Sequence, residues 1–368
     1  MRIKQLDILR GIAIWLVLGR HQPFYEAYSG FGAPFFRLWG QVGWIGVDLF
    51  FVLSGFLVSG LLFKEYQISG KINLLVFLIR RGFKIYPAYY FLILFTVIFY
   101  FIAFQYLIPA VAIWEQFLFL QNYLILLWGH TWSLAVEEHF YFLVGTFLFL
   151  CSRKKITDPF KTLGWFFFLI AIGCLILRLL NCLHYGIGVF VPQTHLFPTH
   201  LRVDSLMFGV LLSYLHHFHY LRFKQFIVSN KRKILILSCA FISPVFMFDL
   251  STAPFIYTFG LTLNYLALGG FLMVFFYCVE IEQNKFNLLA KIGFNSYSIY
   301  LWHFPIIRWI MIPMTDFTGT SNVSLFALMM LYFLFTICLG IWMAKLIEIP
   351  FLNYRDRVFS PVRKLGAV

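Results

Sequence analysis

LDILRGIAIWLVLGRHQ, residues 6–22, decides how the rest of the chain is read. It has the apolar character of a membrane helix, yet Arg10 interrupts it one turn in, and Arg20 and His21 close it. Arg10 and His21 stand 11 residues apart. That is about three helical turns, so both fall on one stripe, ~16 Å apart along the axis, with Asp7, Ile14 and Val17 close to it. An ionisable group near the bilayer centre costs roughly 2.5–3.5 kcal/mol on insertion scales, and less towards the edges. A simple anchor needs no such group. The stripe must therefore turn towards protein or water, and it reads as one wall of a reaction cavity.

Composition agrees. The chain has 368 residues, 61% hydrophobic, 21% aromatic and only 12% charged. That balance excludes a water-soluble domain and predicts an all-α, polytopic membrane protein. About ten transmembrane helices are expected, near 6–21, 44–63, 85–103, 133–151, 163–182, 200–219, 234–248, 255–277, 294–313 and 323–345. The net charge of +14 suggests a nucleic-acid partner until the positions are considered. With the N-terminus inside, the inner segments collect most Lys and Arg, including Arg2, Lys4, Arg80, Arg81, Lys84, Lys154, Lys155, Arg355, Arg363 and Lys364. Beyond Arg10, the outer half keeps Arg20, Arg37, Arg178, Arg202 and Arg308. This asymmetry predicts that both termini are cytoplasmic, and it makes the surplus a topology signal with no nucleic acid implied. Residues 1–345 are expected to form one transmembrane domain and 346–368 a basic cytoplasmic tail. No cleavable leader is expected, since Arg10 breaks the apolar run. The six cysteines form no CxxC pair, and no metal site is expected.

Several polar residues inside apolar stretches are candidates for chemistry. Asp48 sits near the outer end of the second span, either as a helix N-terminal charge or as a functional acid. Gly55, Ser59 and Gly60 in that span permit close helix packing. Arg80, Arg81 and Lys84, at the end of an expected inner loop 64–84, are either a positive-inside flank or a phosphate site. The stretch from Phe104 to Trp128 reads as an outer loop dipping into the membrane without crossing. In HTWSLAVEEHFYFL, from His130, a helix places Ser133, Glu137 and Tyr141 on one face and sends Glu138 elsewhere. Arg202 and Asp204 open a later span, where neutralising each other is one reading. His303 lies mid-span, two residues before the helix-bending Pro305, as an interhelical hydrogen bond or a functional group.

At these residues the chain resembles the acyltransferase family 3 integral-membrane proteins, which O-acetylate surface polysaccharides. Arg10 and His21 reproduce the family's arginine, ten residues, histidine motif. GVDLFFVLSGFL from Gly46, RRGFKIYP from Arg80, WSLAVEEHFYFL from Trp132, RVDSLMFG from Arg202 and SYSIYLWHFPI from Ser296 follow in the family's order. The resemblance implies a ten-span core in the bacterial cytoplasmic (inner) membrane, using acetyl-CoA from the cytoplasm as cosubstrate with no cofactor bound. It implies a stand-alone member without a fused hydrolase-like domain. His21 matches the family's catalytic histidine, Arg10 its paired arginine, and Glu137 the glutamate of the segment that begins with Trp132 and Ser133. The basic motif departs from the family pattern at Lys84, where a second arginine is usual, and a lysine cannot fork onto a phosphate.

The expected reaction is attack of a sugar hydroxyl on a thioester, with His21 as base. Glu137 or Asp48 is expected to hold its tautomer. Arg10, Arg202 or His303 is expected to balance charge on the carbonyl oxygen. Arg202, Asp204, Trp132 and Ser133 are expected around the substrate, and Arg80, Arg81 and Lys84 around CoA. The first expected acceptor is lipopolysaccharide O-antigen. Competing readings are a transporter or flippase for a lipid-linked sugar, and an acyltransferase using another acyl-CoA.

Overall fold

The computed structural model describes residues 3–359, apart from Lys155, Thr157, Gln283 and Asn284. Arg2, Lys155, Arg363 and Lys364, expected among the inner basic residues, lie outside the described residues, as does the expected tail from 360 onward. Every regular element among the described residues is a helix. In chain order the main ones are α1 (Lys4–Arg20), α2 (Ala33–Val42), α3 (Ile45–Ser69), α4 (Leu74–Phe104), α5 (Ala110–Phe117), α6 (Trp132–Ser152) and α7 (Leu163–Tyr185). They continue with α8 (Val203–Phe218), α9 (Tyr220–Ile242), α10 (Leu261–Cys278), α11 (Asn287–Phe294), α12 (Ser296–Ile306), α13 (Asn322–Met343) and α14 (Ile349–Val358).

Among the described residues, six helical stretches are long and apolar enough to cross a membrane: Ile45–Ser69, Leu74–Phe104, Gly129–Ser152, Leu163–Tyr185, Ile256–Cys278 and Asn322–Val358. Exposed apolar side chains such as Leu94, Ile102, Trp165 and Leu169 cover the outside of these rods, as a lipid-facing surface requires. This is a multi-pass membrane protein. The other expected spans are helical too, but α1 and α8 have 17 and 16 residues. α9 is basic through its first half, and α12, which holds Pro305 and runs on through a π turn to Thr318, carries His303 and Arg308 among its apolar residues.

Small residues let α3 and α8 cross closely. α3 packs chiefly against α8. A Cβ on Gly55 would overlap the Leu206 carbonyl, and one on Gly209 would overlap that of Val52. The two backbones touch there, and only glycine permits it. Buried charges then tie the elements together. Asp48 of α3 pairs with Arg202, at the N-terminus of α8, and accepts from Asn264 Nδ2 of α10 at 2.7 Å. Asp204 of α8 pairs with Arg178 of α7, which also donates to the Leu201 carbonyl at 2.8 Å and to Thr262 Oγ1 at 2.9 Å. Arg202 and Asp204 thus do not neutralise each other. Each seeks an acid or base on another helix, and removing one member of such a pair typically costs about 3–5 kcal/mol.

Two boundaries move. The basic motif expected at a loop end lies inside α4, which starts at Leu74. The helix expected to stop at residue 345 runs on through a wider π turn, Ala344–Glu348, into α14. Pro350, two residues past that turn, lies inside the continuous helix Asn322–Val358 without ending it.

Candidate active site

Two cavities of about 350 Å³ each open within the helix bundle, each within the usual range for a small-molecule site. α1 contributes to both. Arg10 lines the first, with Ser54, Arg81, Lys84, Ser133, Glu137, Tyr141, Tyr300 and Arg355. His21 lines the second, with Arg20, Trp44, Trp128, His130, Trp132, Phe197, Arg202 and Arg308. Val47 borders both, and the adjacent residues Trp132 and Ser133 border one each. The stripe through Arg10 and His21 therefore lines two adjoining chambers rather than one.

In the first cavity the helical period sorts the basic motif. Arg81 and Lys84, three apart on α4, both line it. Arg80 points about 100° away and binds the Phe359 carbonyl and, at 3.4 Å, Asp356. Of the expected phosphate cluster, Arg80 is thus absent from the lining. Lys84 is ion-paired with Glu348, whose other oxygen accepts from Ser298 Oγ at 2.7 Å. Arg81 lies over the Tyr141 ring, 5.7 Å from its centroid. Tyr141 donates to Glu137 Oε2 at 2.6 Å and meets Ser54 Oγ at 2.7 Å. Glu138 accepts instead from Tyr86 at 3.0 Å, as the face assignment requires. Arg355 and Glu348 were missed as candidates because the chain beyond residue 345 reads as a tail.

Around His21 the partners differ from expectation. Neither Glu137 nor Asp48 is hydrogen-bonded to it; its Nδ1 lies 3.2 Å from His303 Nε2. His303 Nδ1 faces the Tyr300 carbonyl, which can only accept, so the proton sits on Nδ1. When His303 is neutral, its Nε2 then carries a lone pair that accepts from His21 Nδ1–H. That leaves His21 Nε2 bare. Pro305 shapes the third histidine: lacking an N–H, it frees the Leu301 carbonyl four residues back, and His130 Nε2 donates to it at 3.3 Å. His130 also stacks on Phe304, with centroids 4.7 Å apart and planes 4° from parallel. Asp48 is spent on Arg202 and Asn264, one step behind the cavity wall. Arg202 lines the His21 cavity over the rings of Phe51 and Trp132. Its Nε and Nη1 make no hydrogen bond among the described residues. Asp204, paired with Arg178, supports the bundle and lines neither cavity. Among the described residues no His, Cys, Asp and Glu cluster is arranged to hold a metal.

Fold and site together define a multi-pass helical membrane protein with two internal chambers whose largely apolar walls carry arginine, histidine and other polar side chains. Within that class the chain belongs to the acyltransferase domain family, whose pattern residues 3–345 match. It is 30% identical over 341 residues to the peptidoglycan O-acetyltransferase OatA of Listeria monocytogenes, covering 83% of this chain and 49% of the relative. It is also 30% identical to the O-acetyltransferase OatA of Staphylococcus aureus, covering 77% of this chain and 49% of the relative. The chain spans about half the length of these curated relatives. No solved structure matches it.

Proposed function

We propose that this chain is a membrane O-acyltransferase that moves an acetyl group from cytoplasmic acetyl-CoA to a hydroxyl of an extracytoplasmic glycan. In this reading ten segments cross the bacterial inner membrane, both termini are cytoplasmic, and the Arg10 cavity faces inward. The observation that carries the proposal is that one helix brings Arg10 to a basic chamber and His21 to a neighbouring chamber, with Val47 common to both.

The Arg10 cavity suits the donor. Arg81, Arg10 and Arg355 supply guanidinium groups for phosphates, which they bind bidentately. Lys84, held by Glu348, adds a point charge at the wall. The ~30 Å hydrocarbon thickness need not be crossed by the whole donor: the pantetheine arm has only to pass the Val47 septum. The His21 cavity suits the acceptor. His21 Nε2 takes the hydroxyl proton as oxygen attacks the thioester carbonyl, and His303 holds the ring in the required tautomer. Arg202, in the cavity wall, places positive charge near the oxyanion that forms. As the carbon–sulfur bond breaks, His21 returns the proton to the departing thiolate, giving the ester and free CoA. The glycan named for the Listeria relative supports peptidoglycan as acceptor over the O-antigen first expected.

The test uses purified protein in lipid nanodiscs with labelled acetyl-CoA and peptidoglycan or O-antigen fragments. Wild type is expected to form a labelled glycan ester and His21→Ala to form it roughly 10²–10⁴-fold more slowly. No ester from wild type with any of these acceptors, using acetyl- or succinyl-CoA, sinks the proposal.

A further inference from the structure

Cations on the translocated side of a membrane protein run against the positive-inside preference, so each calls for a reason. In the orientation proposed above, the outer arginines beyond Arg10 are Arg20, Arg37, Arg178, Arg202 and Arg308. Arg178 is tied to Asp204. Three of the others, Arg20, Arg202 and Arg308, line the His21 cavity, and among the described residues no Asp or Glu lines it. Arg202 has Asp48 as counter-ion. Arg20 donates to the Gly40 carbonyl at 3.0 Å, and Arg308 lies over the Tyr100 ring, 6.0 Å from its centroid; neither has a carboxylate partner among the described residues. The wall between them is aromatic, with Trp44, Trp128 and Trp132.

From this we infer that the acceptor is an anionic glycan, one with a carboxylate or phosphate beside the acylated sugar. The inference rests on the proposed function. Arg20 and Arg308 hold the anion, the tryptophans cover apolar sugar faces, and His21 receives the hydroxyl. A neutral sugar would leave two guanidinium charges without counter-ions in a partly apolar cleft. The opposing explanation is that both arginines snorkel to lipid phosphates.

The two explanations separate in the nanodisc assay with three probes. These are a neutral N-acetylglucosamine oligomer, an oligomer of equal length with a carboxylate on alternate sugars, and the neutral oligomer carrying a terminal phosphate. A charge-assisted hydrogen bond predicts roughly 10- to 100-fold higher kcat/KM for an anionic probe. Which anionic probe gains identifies the source of the charge. Arg308→Gln, at an exposed position, and separately Arg20→Gln, are expected to bring that ratio towards one while the KM for acetyl-CoA stays put. Equal use of all three probes by wild type, or a ratio untouched by both variants, overturns the inference and leaves the transferase standing. A rise in donor KM alone assigns the arginines to CoA and also overturns it. No ester with any probe removes the transferase reading itself, and the inference with it.

Discussion

The Arg10 cavity and the His21 cavity are of similar size and both are rich in arginine, but they treat charge differently. In the first, acids accompany the cations: Glu137 lines the wall and Glu348 pairs with Lys84. In the second no acid among the described residues lines the wall, and the group hydrogen-bonded to His21 is another imidazole, that of His303. A phosphate-bearing donor is best met by cations whose mutual repulsion is moderated by nearby acids. A proton acceptor is best left neutral, and a neutral imidazole partner achieves that without adding a charge. The difference suggests that one chamber binds and the other reacts.

The sharpest way to break this division is His21→Ala. Loss of a positioned base predicts a fall of roughly 10²–10⁴-fold in kcat, with acetyl-CoA binding, read by calorimetry, unaltered. Weakened CoA binding in that variant would merge the two chambers into one site. Next in size is Asp48→Ala, which leaves Arg202 buried without its acid. We expect a loss of about 3–5 kcal/mol in stability, seen as a lower unfolding midpoint in detergent. A double variant, Asp48→Ala with Arg202→Met, should recover part of it. If Asp48→Ala is as stable as wild type yet inactive, the acid belongs to catalysis after all.

On the binding side, Arg81→Ala is expected to raise the KM for acetyl-CoA roughly 10- to 100-fold with little change in kcat. Arg81→Lys should recover only part, because the forked geometry is lost. A fall in kcat instead would put Arg81 on the reacting side. His303→Ala tests positioning. A roughly 10-fold drop in kcat is expected as His21 loses its hydrogen-bond partner, and His303→Gln, which keeps an acceptor, should restore part of it. Equal damage from both would mean that His303 serves packing alone. Arg355→Ala should have the smallest effect, a few-fold rise in donor KM, since this arginine is partly exposed and already bonded to Asp356.

Much of the site was legible because helical periodicity is local. The spacing of Arg10 and His21, the common face of Ser133, Glu137 and Tyr141, and the separate heading of Glu138 all follow from 3.6 residues per turn. The family resemblance was carried by the same residues. What could not be read were the partners. Arg202 and Asp204 are near neighbours in sequence and bond to different helices. His21 was expected to meet an acid and meets His303, from the far end of the chain. The chain beyond residue 345 reads as a tail, and instead a continuing helix carries Arg355 to the first cavity.

From the sequence alone came an apolar, all-helical chain, the face each polar residue occupies on its own helix, and the basic and histidine chemistry on one stripe. These depend on composition and on contacts within a few residues. Which charge answers which, and that the stripe serves two chambers instead of one, were decided only when distant helices packed. A buried charge is stabilised by whatever the fold brings within hydrogen-bond reach, and that distance is not written in the spacing along the chain.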